Sequence, residues 1–146
     1  PFMYNYTNAP WKSQKIVRKI LREEYSDGPG GLSGNDDAGQ MSAWYVFAAI
    51  GFYPLDPVSG NYLLVSPLFD SVKIKLPGKK LFEIITHKTN PDAQYIKEVK
   101  WNGRIYNKNY LPHTLIINGG KLEIWLQRAP SAWGSETKQQ PKSLIN

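Results

Sequence analysis

The stretch GLSGNDDAGQMSAWYVF, residues 31–47, is central to the fold because it joins a glycine-rich run to an apolar helix. From about Ala38 to Ile50 apolar side chains recur at helical spacing, and Gly51 is a natural end for such a helix. The apolar stripe is wide, which predicts a helix that is buried on most sides. Two adjacent carboxylates, Asp36 and Asp37, directly precede this helix, so their role depends on it.

The acidic pair fits a structural role at the start of the helix. Asp37 and Gln40 have the spacing of a capping box, in which each side chain bonds the backbone N–H of the other residue. A negative charge at Asp36 is also favourable near a helix N-terminus. On local physical chemistry alone, a helix cap is favoured over a catalytic site.

The same pair also fits catalysis by a general base. A helix N-terminus stabilises an ionised carboxylate, which can then remove a proton from water at neutral pH. The preceding glycines permit unusual backbone angles and close approach of a ligand. Aromatic residues that can stack on sugar rings occur in the same half of the chain, although those on the apolar stripe are more typical of a core: Tyr4, Tyr6, Trp11, Trp44, Tyr45 and Tyr53.

The segment before this stretch predicts a first helix. Apolar residues on one side of the segment from Trp11 to Tyr25 indicate an amphipathic helix. Asn8 and Pro10 are typical of a helix start, and the run SDGPGG at residues 26–31 predicts that the helix ends before it.

After Pro54 the apolar period changes from helical spacing to alternation, which predicts strands. Residues 95–101 place Tyr95, Val99 and Trp101 on one face, and Asn102-Gly103 predicts a tight hairpin turn after them. The segments TLII (114–117) and KLEIWL (121–126) are a second candidate pair of strands. With VKIKL (72–76) and LFEII (81–85), this gives six or seven short strands in an antiparallel sheet or small sandwich.

The sequence therefore predicts an α+β chain in three parts. Residues 1–54 form helices, residues 55–134 an antiparallel β unit, and residues 135–146 a polar tail. Two helices cannot bury two wide apolar faces against each other alone, and the chain starts with Pro1 in what resembles mid-domain sequence. We therefore expect the chain to be a piece of a longer protein.

Composition excludes several classes of function. The sequence has no cysteine, which excludes disulfides, cysteine nucleophiles and thiolate zinc sites. Its two histidines are far apart in the sequence, which argues against a histidine-rich metal site. Ser33 lacks the preceding strand of a nucleophile elbow. The net charge of +6 comes from basic residues scattered singly after residue 55, which indicates a solvated sheet face and not a nucleic-acid partner. The sequence also contains no apolar run long enough to span a membrane.

Long runs of the sequence resemble those of a known protein family, which residue spacing alone does not reveal. The run SDGPGGLSGNDDAGQMSAWYVFAAIGFYPLDPVSGNYLLVSPLF closely resembles family 92 of the glycoside hydrolases, the calcium-dependent α-mannosidases. The upstream YNYTNAPWKSQ and the downstream WNGRIYNKNYLPHTLIINGGKLEI and APSAWG segments are also similar to that family, so the resemblance covers residues 2–134. Ser13 stands where threonine is usual, and Ala38 where cysteine is common.

The resemblance implies the last helices of an (α/α)6 catalytic barrel followed by the β unit. It implies an exo-acting enzyme that removes terminal mannose with inversion, with α-1,2-linked N-glycan or mannan substrates expected. An inverting enzyme needs one acid and one base on opposite faces of the sugar. The resemblance assigns Asp37 as the general base and Asp36 as its supporting carboxylate, with the acid a glutamate upstream of Pro1.

The resemblance also implies a binding site, a cofactor and partners. The candidate substrate-binding residues are Gly34, Asn35, Trp11 and Tyr6. Calcium is the implied cofactor, with its ligands mostly upstream and no metal ligand assigned in this chain. The partners are a mannose-containing glycan and the missing N-terminal part of the same protein. The implied location is periplasmic or secreted, and the fragment alone is expected to be inactive.

A second hypothesis is a free-standing carbohydrate-binding or interaction module without catalysis. Its sugar-binding face would be formed by aromatic residues of the β unit: Trp101, Tyr106, Tyr110, Trp125 and Trp133.

Overall fold

The computed structural model describes residues 1–142 as three short α-helices and two β-sheets. Residues 143–146, the end of the predicted polar tail, lie outside the described residues. Within the described part no helix has the length and apolarity needed to cross a bilayer. In chain order the elements are α1 (Pro10–Glu23), α2 (Gln40–Ile50), β1 (Phe52–Asp56), β2 (Asn61–Leu64), β3 (Ser71–Leu76), β4 (Lys80–Lys88), β5 (Tyr95–Trp101), β6 (Arg104–Ile105), β7 (Tyr110–Pro112), α3 (His113–Asn118) and β8 (Gly120–Gln127), with 3-10 helices at Phe2–Tyr6, Pro77–Lys79 and Thr137–Gln139.

The first helix, α1, begins at Pro10, one of the two start signals. Proline is tolerated there because the first N–H groups of a helix have no partner within it. The other signal, Asn8, does not cap the helix, since the cap position is Ala9 and no side chain bonds the first turn. Val17 and Leu21 are buried on the inner side of α1, as the amphipathic pattern predicted.

The second helix, α2, begins at Gln40, two residues later than predicted, and the capping-box prediction is wrong. Asp37, Ala38 and Gly39 have φ angles of +49°, +61° and +92°, so the chain makes a left-handed turn where the first helical residues were expected. The cap position is Gly39, which has no side chain to bond the first turn. The helix ends at Gly51, as predicted, with φ +112°.

The burial of α2 is lower than its wide apolar stripe predicted. Ala48 and Ala49 are fully buried, whereas Val46 is 54% exposed. The C-terminal end of the helix is tightly packed, since a Cβ at Gly51 would lie 2.6 Å from Pro67 Cγ. The helix is therefore fixed at its C-terminal end, whereas its exposed residues, Gln40, Ser42, Ala43 and Val46, precede that end.

The two sheets confirm the α+β class and correct its details. Strands β1, β2 and β7 form a three-stranded antiparallel sheet, and the larger sheet has the order β3-β4-β8-β5-β6. In the larger sheet β4 and β8 are parallel, so the unit is not wholly antiparallel. The predicted TLII strand is instead the helix α3, which packs against β4. A four-residue apolar run does not by itself distinguish a strand from a helical turn.

The hairpin at Asn102-Gly103 is confirmed, but the strand before it does not alternate as predicted. Asn102 and Gly103 have φ angles of +47° and +79°, which suit a tight turn between β5 and β6. Strand β5 contains a register shift between Ile96 and Glu98. This bulge adds one residue to β5, so that Ile96 and Val99 are both fully buried.

Two apolar clusters hold the helices and sheets together. The helix core contains Phe2, Val17, Leu21, Ala48, Ala49, Leu63 and Val65. The sheet core contains Phe52, Leu64, Phe82, Ile84, Ala93, Ile96, Val99, Leu111, Ile116, Leu122, Ile124, Leu126 and Trp133. Strand β1 crosses residue 54, where the sequence period changes, so the helices and the sheets are directly continuous.

Buried polar side chains of α1 tie this helix to the sheets. Gln14 Oε1 accepts the backbone N–H of Ile96 at 2.8 Å, beside the bulge of β5. The guanidinium of Arg18 donates to the carbonyl of Pro67 at 2.9 Å, and burial lowers the pKa of Arg18 to about 10. Because Pro67 also packs against Gly51, α1 and the end of α2 share one anchor.

The described part of the tail, residues 135–142, contains regular structure. A 3-10 helix at Thr137–Gln139 begins with a capping box between Glu136 and Gln139. The carbonyl of Gln139 accepts the backbone N–H of Asn109 at 2.8 Å. The described part of the tail is thus attached to the chain before β7.

Candidate active site

A glycine-rich loop between α1 and α2 forms one wall of the site. Tyr25 and Leu32 make an isolated antiparallel bridge, and Ser26 N–H donates to the Gly31 carbonyl at 2.9 Å. Gly31 N–H donates to the Gly28 carbonyl at 3.1 Å. A Cβ at Gly31 would lie 2.1 Å from the Ser26 carbonyl oxygen, so this loop closes only with glycine at that position. The glycines therefore shape the backbone, as the sequence indicated.

The loop and the first turns of α2 enclose an open pocket of about 940 Å³. One wall is the loop itself, the opposite wall carries Ser42, Tyr45 and Val46, and Tyr25 joins the two. The pocket combines aromatic and apolar surface with carboxylate, amide and hydroxyl groups, the mixture that small-molecule sites commonly have. The complete lining is Tyr25, Ser26, Asp27, Gly28, Gly30, Gly31, Leu32, Gly34, Asn35, Asp36, Ser42, Tyr45 and Val46.

Asp36 is the carboxylate that hydrogen-bonds the start of α2. Its Oδ1 accepts the backbone N–H of Ser42 at 2.8 Å and the Ser42 hydroxyl at 3.0 Å. Its carbonyl accepts the N–H of Met41 at 3.1 Å. The role that the sequence predicted for Asp37 at the helix start thus belongs to Asp36, with Ser42 as its partner instead of Gln40.

Asp37 is placed quite differently from its neighbour. It is exposed, its backbone is left-handed with φ +49°, and its carbonyl accepts the N–H of Gln40 at 3.4 Å. Within residues 1–142 its carboxylate makes neither a hydrogen bond nor an ion pair. A carboxylate without a protein partner is free to accept a hydrogen bond from water or from a ligand.

The structure brings together only some of the candidate site residues. Gly34, Asn35 and Asp36 line the pocket, and Asp37 follows them at its edge without lining it. Trp11 lines a second pocket, of about 340 Å³, together with Tyr4 and the lysines of α1. Lys12 Nζ lies 5.5 Å from the ring centroids of both Trp11 and Tyr4.

Tyr6 lies in neither of the two pockets. It is half-buried, and burial raises the pKa of its phenol, followed by the negative charge of Asp56. Tyr6 and Trp11 are therefore not neighbours of the acidic pair in the pocket that this chain forms.

Tyr25 is the main site residue that the sequence analysis missed. Its hydroxyl donates to the carbonyl of Met41 at 3.1 Å, and its ring stacks on Trp44 with centroids 5.8 Å apart and planes at 3°. Burial raises the pKa of Tyr25, and the negative charge of Asp36 contributes in the same direction. Its position directly before the run SDGPGG, which leads into the glycines predicted to permit close approach of a ligand, is the signal that the sequence offers.

Ser42, Tyr45 and Asp27 complete the polar part of the pocket. Ser42 and Tyr45 are three residues apart on α2 and therefore share a face of the helix. Its place on the apolar stripe predicts Tyr45 as a core residue more than as a sugar-stacking one, and the structure leaves it half-buried at the pocket wall.

The residues described do not form a calcium site of their own. Calcium takes six to eight oxygen ligands. Within residues 1–142 no three side chains of histidine, cysteine, aspartate or glutamate are grouped as a metal site requires. The pair Asp36 and Asp37 therefore does not provide a complete calcium site.

The aromatic residues of the β unit do not form one exposed platform. Trp133 is only 8% exposed and Trp101 packs against the sheet core. Tyr106 donates its hydroxyl to the Tyr110 carbonyl at 2.7 Å. Trp125 lies on the outer face of the sheet, stacked against His87 and covered by the Lys100 ammonium 4.7 Å from its centroid. Nothing in this arrangement favours the binding-module hypothesis.

Comparison with known proteins gives one consistent family. Residues 1–128 match the family model described as the glycosyl hydrolase family 92 catalytic domain. An uncharacterised secreted glycosidase of Arthroderma benhamiae is 33% identical over 146 residues, which cover 98% of this chain and 19% of that protein.

Solved structures agree with that match. A family 92 α-mannosidase from Bacteroides thetaiotaomicron superposes with a TM-score of 0.91 at 38% identity, covering 98% of this chain and 19% of that one. The same enzyme has been solved with mannoimidazole bound. A family 92 inverting mannosidase from the same organism gives 0.90 at 36% identity over 97% of this chain and 19% of its own. The chain thus spans about a fifth of the length of these relatives.

Proposed function

The chain belongs to glycosyl hydrolase family 92, and from that premise we propose that it is the C-terminal part of an exo-acting α-mannosidase. In this proposal the enzyme hydrolyses terminal mannose with inversion at the anomeric carbon. The observation that carries it is the contrast between two adjacent carboxylates at one pocket: Asp36 is fixed by Ser42, whereas Asp37 is exposed and has no protein partner within residues 1–142.

Each carboxylate has a separate role in the proposed reaction. Asp37 removes a proton from water as that water attacks the anomeric carbon, and the bond from this carbon to the leaving oxygen breaks. A glutamic acid outside this chain gives its proton to the leaving oxygen. Asp36 holds the first turn of α2 and thereby fixes the position of Asp37. A solved relative is described as an inverting mannosidase, and we propose the same stereochemical outcome for this chain.

Sugar binding is proposed for the pocket that the acidic pair borders. Gly34 and Asn35 line it directly, and Tyr25 and Tyr45 give it aromatic surface for a pyranose ring. Trp11 and Tyr6 do not line this pocket, so the proposal for the sugar subsite does not depend on them. Mannoimidazole in the complex of a relative supports a mannose-type ligand.

The remaining parts of the proposal concern the parent protein. Residues 1–54 belong to an (α/α)6 barrel and residues 55–134 to the β unit that follows it. Calcium is held by ligands outside this chain, and α-1,2-linked N-glycans or mannan are the substrates. The protein is periplasmic or secreted, which the secreted glycosidase among its relatives supports.

The decisive experiment is Asp37→Asn in the parent enzyme. Removing a general base lowers turnover by about 10²- to 10⁴-fold, because the water is no longer deprotonated in the transition state. Turnover is measured by mannose release from an aryl α-mannoside under saturating substrate. Asp92→Asn, another exposed carboxylate, is the matched control and retains wild-type turnover. Turnover of Asp37→Asn within tenfold of wild type would falsify the base role.

Inversion is tested separately by following the anomer of the released mannose by proton NMR. An α-mannoside must give β-mannose as the first product. Initial release of α-mannose would exclude inversion while leaving the family assignment untouched.

Two further assays test the finer parts of the proposal. A panel of linked mannobioses reports the preferred linkage, and the α-1,2 disaccharide is expected to be hydrolysed fastest. The isolated chain is expected to hydrolyse none of them, because half of the acid–base pair is absent. Turnover by the isolated chain would place the acid within these residues.

A further inference from the structure

Tyr25 connects the two walls of the pocket. It follows the end of α1, it bridges to Leu32 across the glycine-rich loop, and its hydroxyl donates to the Met41 carbonyl in the first turn of α2 at 3.1 Å. Its ring is held against Trp44, with nearly parallel planes, and against Tyr45, with centroids 4.9 Å apart. The hydroxyl is therefore aimed at α2 by a rigid aromatic stack.

The first turn of α2 is held on two sides. On the N–H side, the carbonyl of Asp36 accepts from Met41 at 3.1 Å and its carboxylate accepts from Ser42 at 2.8 Å. On the carbonyl side, the phenol of Tyr25 donates to Met41. Because Gly39 supplies no side-chain cap, the bonds from Met41 and Ser42 to Asp36 satisfy N–H groups at the start of the helix. The Tyr25 bond adds a second attachment, at the carbonyl of Met41.

The chain that carries the acidic pair needs such support. Asp37 and Ala38 are both left-handed, with φ angles of +49° and +61°, a conformation that costs non-glycine residues about 1–2 kcal/mol each. Strained backbone of this kind persists only where its surroundings determine it. Residues 37–39 lead directly into the first turn of α2, and the bonds from Asp36 and Tyr25 fix that turn.

The electrostatic environment keeps Tyr25 a hydrogen-bond donor. Burial raises the pKa of its phenol, and the nearby Asp36 carboxylate raises it further, so the hydroxyl is protonated across the neutral range.

We propose that Tyr25 is a positioning residue of the reaction: its bond to the Met41 carbonyl sets the first turn of α2, and through it the Asp36–Asp37 pair, relative to the glycine-rich loop. The inference rests on the proposed function and concerns the Tyr25 hydroxyl, which bonds Met41 and not the reacting atoms, whereas the ring provides pocket surface. Its effect is expected in turnover, because a misplaced base weakens the transition state more than substrate binding.

The test is Tyr25→Phe in the parent enzyme, which removes the donor and retains the aromatic stack. We expect kcat to fall about tenfold while KM changes by less than about twofold, since a displaced catalytic group acts on the chemical step. Hydrogen exchange of the segment at residues 40–46, measured by mass spectrometry, is expected to become faster. Tyr25→Leu removes the stack as well and is expected to lower the thermal midpoint in addition.

The matched control is Tyr53→Phe. Tyr53 belongs to the same aromatic cluster, with its ring 6.4 Å from that of Trp44, and its hydroxyl bonds no other residue among 1–142. It does not line the pocket. The control is expected to leave kcat and the exchange at residues 40–46 unchanged, which separates the Tyr25 bond from the general loss of a hydroxyl in this cluster.

Several outcomes overturn the proposal. Wild-type kcat in Tyr25→Phe, or unchanged exchange at residues 40–46, shows that the bond positions nothing. An equal fall in Tyr53→Phe shows that the effect is not specific. Asp37→Asn is assayed alongside: if it is inactive and Tyr25→Phe is normal, only the role of Tyr25 fails. If Asp37→Asn is active, the base role fails, and the exchange measurement still decides whether Tyr25 orders α2.

Discussion

The sheet core and the loop at residues 25–42 are stabilised by opposite means. In the sheet core Phe82, Ile124 and Leu126 have no exposed surface, and each is held by neighbours on several strands. In the loop Asp37 is exposed and its backbone is left-handed, and order depends on a few hydrogen bonds to the first turn of α2. The geometry of the acidic pair is thus specified by local polar contacts on a scaffold that burial makes rigid.

This difference separates the residues that stabilise the fold from those that position the acidic pair. Apolar burial in the sheet core contributes most to the free energy of unfolding but does not touch the pocket. The loop contributes little to that free energy but determines where the carboxylates lie. Variants in the two regions should therefore change different measurements.

The largest effect on stability is expected from Leu126→Ala in the sheet core. Removing this fully buried side chain leaves a cavity between strands and lowers the free energy of unfolding by about 2–5 kcal/mol. Denaturant unfolding of the parent enzyme measures the loss, with the exposed Lys97→Ala as control. Turnover per folded molecule stays at the wild-type level. A loss of turnover in the folded enzyme would mean that the two regions are coupled.

A smaller effect is expected from Gly31→Ala in the loop. The new methyl group would lie 2.1 Å from the Ser26 carbonyl oxygen, so the backbone must move, at a cost of about 1–3 kcal/mol. The unfolding midpoint measures this cost. Gly34→Ala is the control for stability, because a Cβ at that position meets no atom within 4 Å. Equal midpoints for the two variants would contradict the tight closure of the loop.

The two carboxylates should differ in stability as they do in contacts. Asp36→Ala removes the acceptor of the Ser42 N–H and hydroxyl and is expected to cost about 1 kcal/mol, the usual loss for a capping interaction. Asp37→Asn is expected to leave the free energy of unfolding unchanged, because its carboxylate has no partner within residues 1–142 and asparagine tolerates the left-handed backbone. If Asp37→Asn destabilised the enzyme, its loss of turnover could no longer be assigned to chemistry.

The smallest expected effect is an increase in stability, in the variant Ala38→Gly. Ala38 has φ +61°, which glycine adopts without strain, and Ala38→Gly is expected to raise the free energy of unfolding by about 0.5–1 kcal/mol. The gain is the relieved strain less the larger conformational entropy of glycine in the unfolded chain. Thermal unfolding at matched concentration measures it. A decrease would indicate that the alanine methyl group makes contacts that outweigh its strained backbone.

Where the sequence predictions succeeded, the deciding interaction was local. Pro10 begins α1, Gly51 ends α2, and Asn102-Gly103 forms the hairpin, because each of these residues restricts or extends its own backbone angles. The family assignment succeeded for a related reason: a long, specific run of residues carries it, and the family model matches residues 1–128.

Where the predictions failed, the deciding interaction lay elsewhere in the fold. The TLII segment is the helix α3, and strands β4 and β8 are parallel. Neither follows from alternation, which does not encode which strand becomes a neighbour. The bulge in β5 is likewise supported from outside the sheet, since Gln14 of α1 bonds the N–H of Ile96 beside it.

The candidate site shows the same division. The sequence identified Gly34, Asn35 and Asp36 at the pocket because they are contiguous with the glycine-rich loop that forms it. It missed Tyr25, and it grouped Trp11 and Tyr6 with the acidic pair, although neither lines that pocket. Aromatic residues are placed by packing, which depends on which elements meet.

By itself, the sequence determined the family, the α+β class, the main turns and the location of the acidic pair, because these depend on residue identity and on short-range backbone preference. The tertiary structure alone decided that Asp36 bonds Ser42, that Asp37 remains exposed, and that Tyr25 reaches Met41. The reason is physical. A hydrogen bond between residues 16 positions apart requires the loop to close first, and that closure depends on packing that no local pattern records.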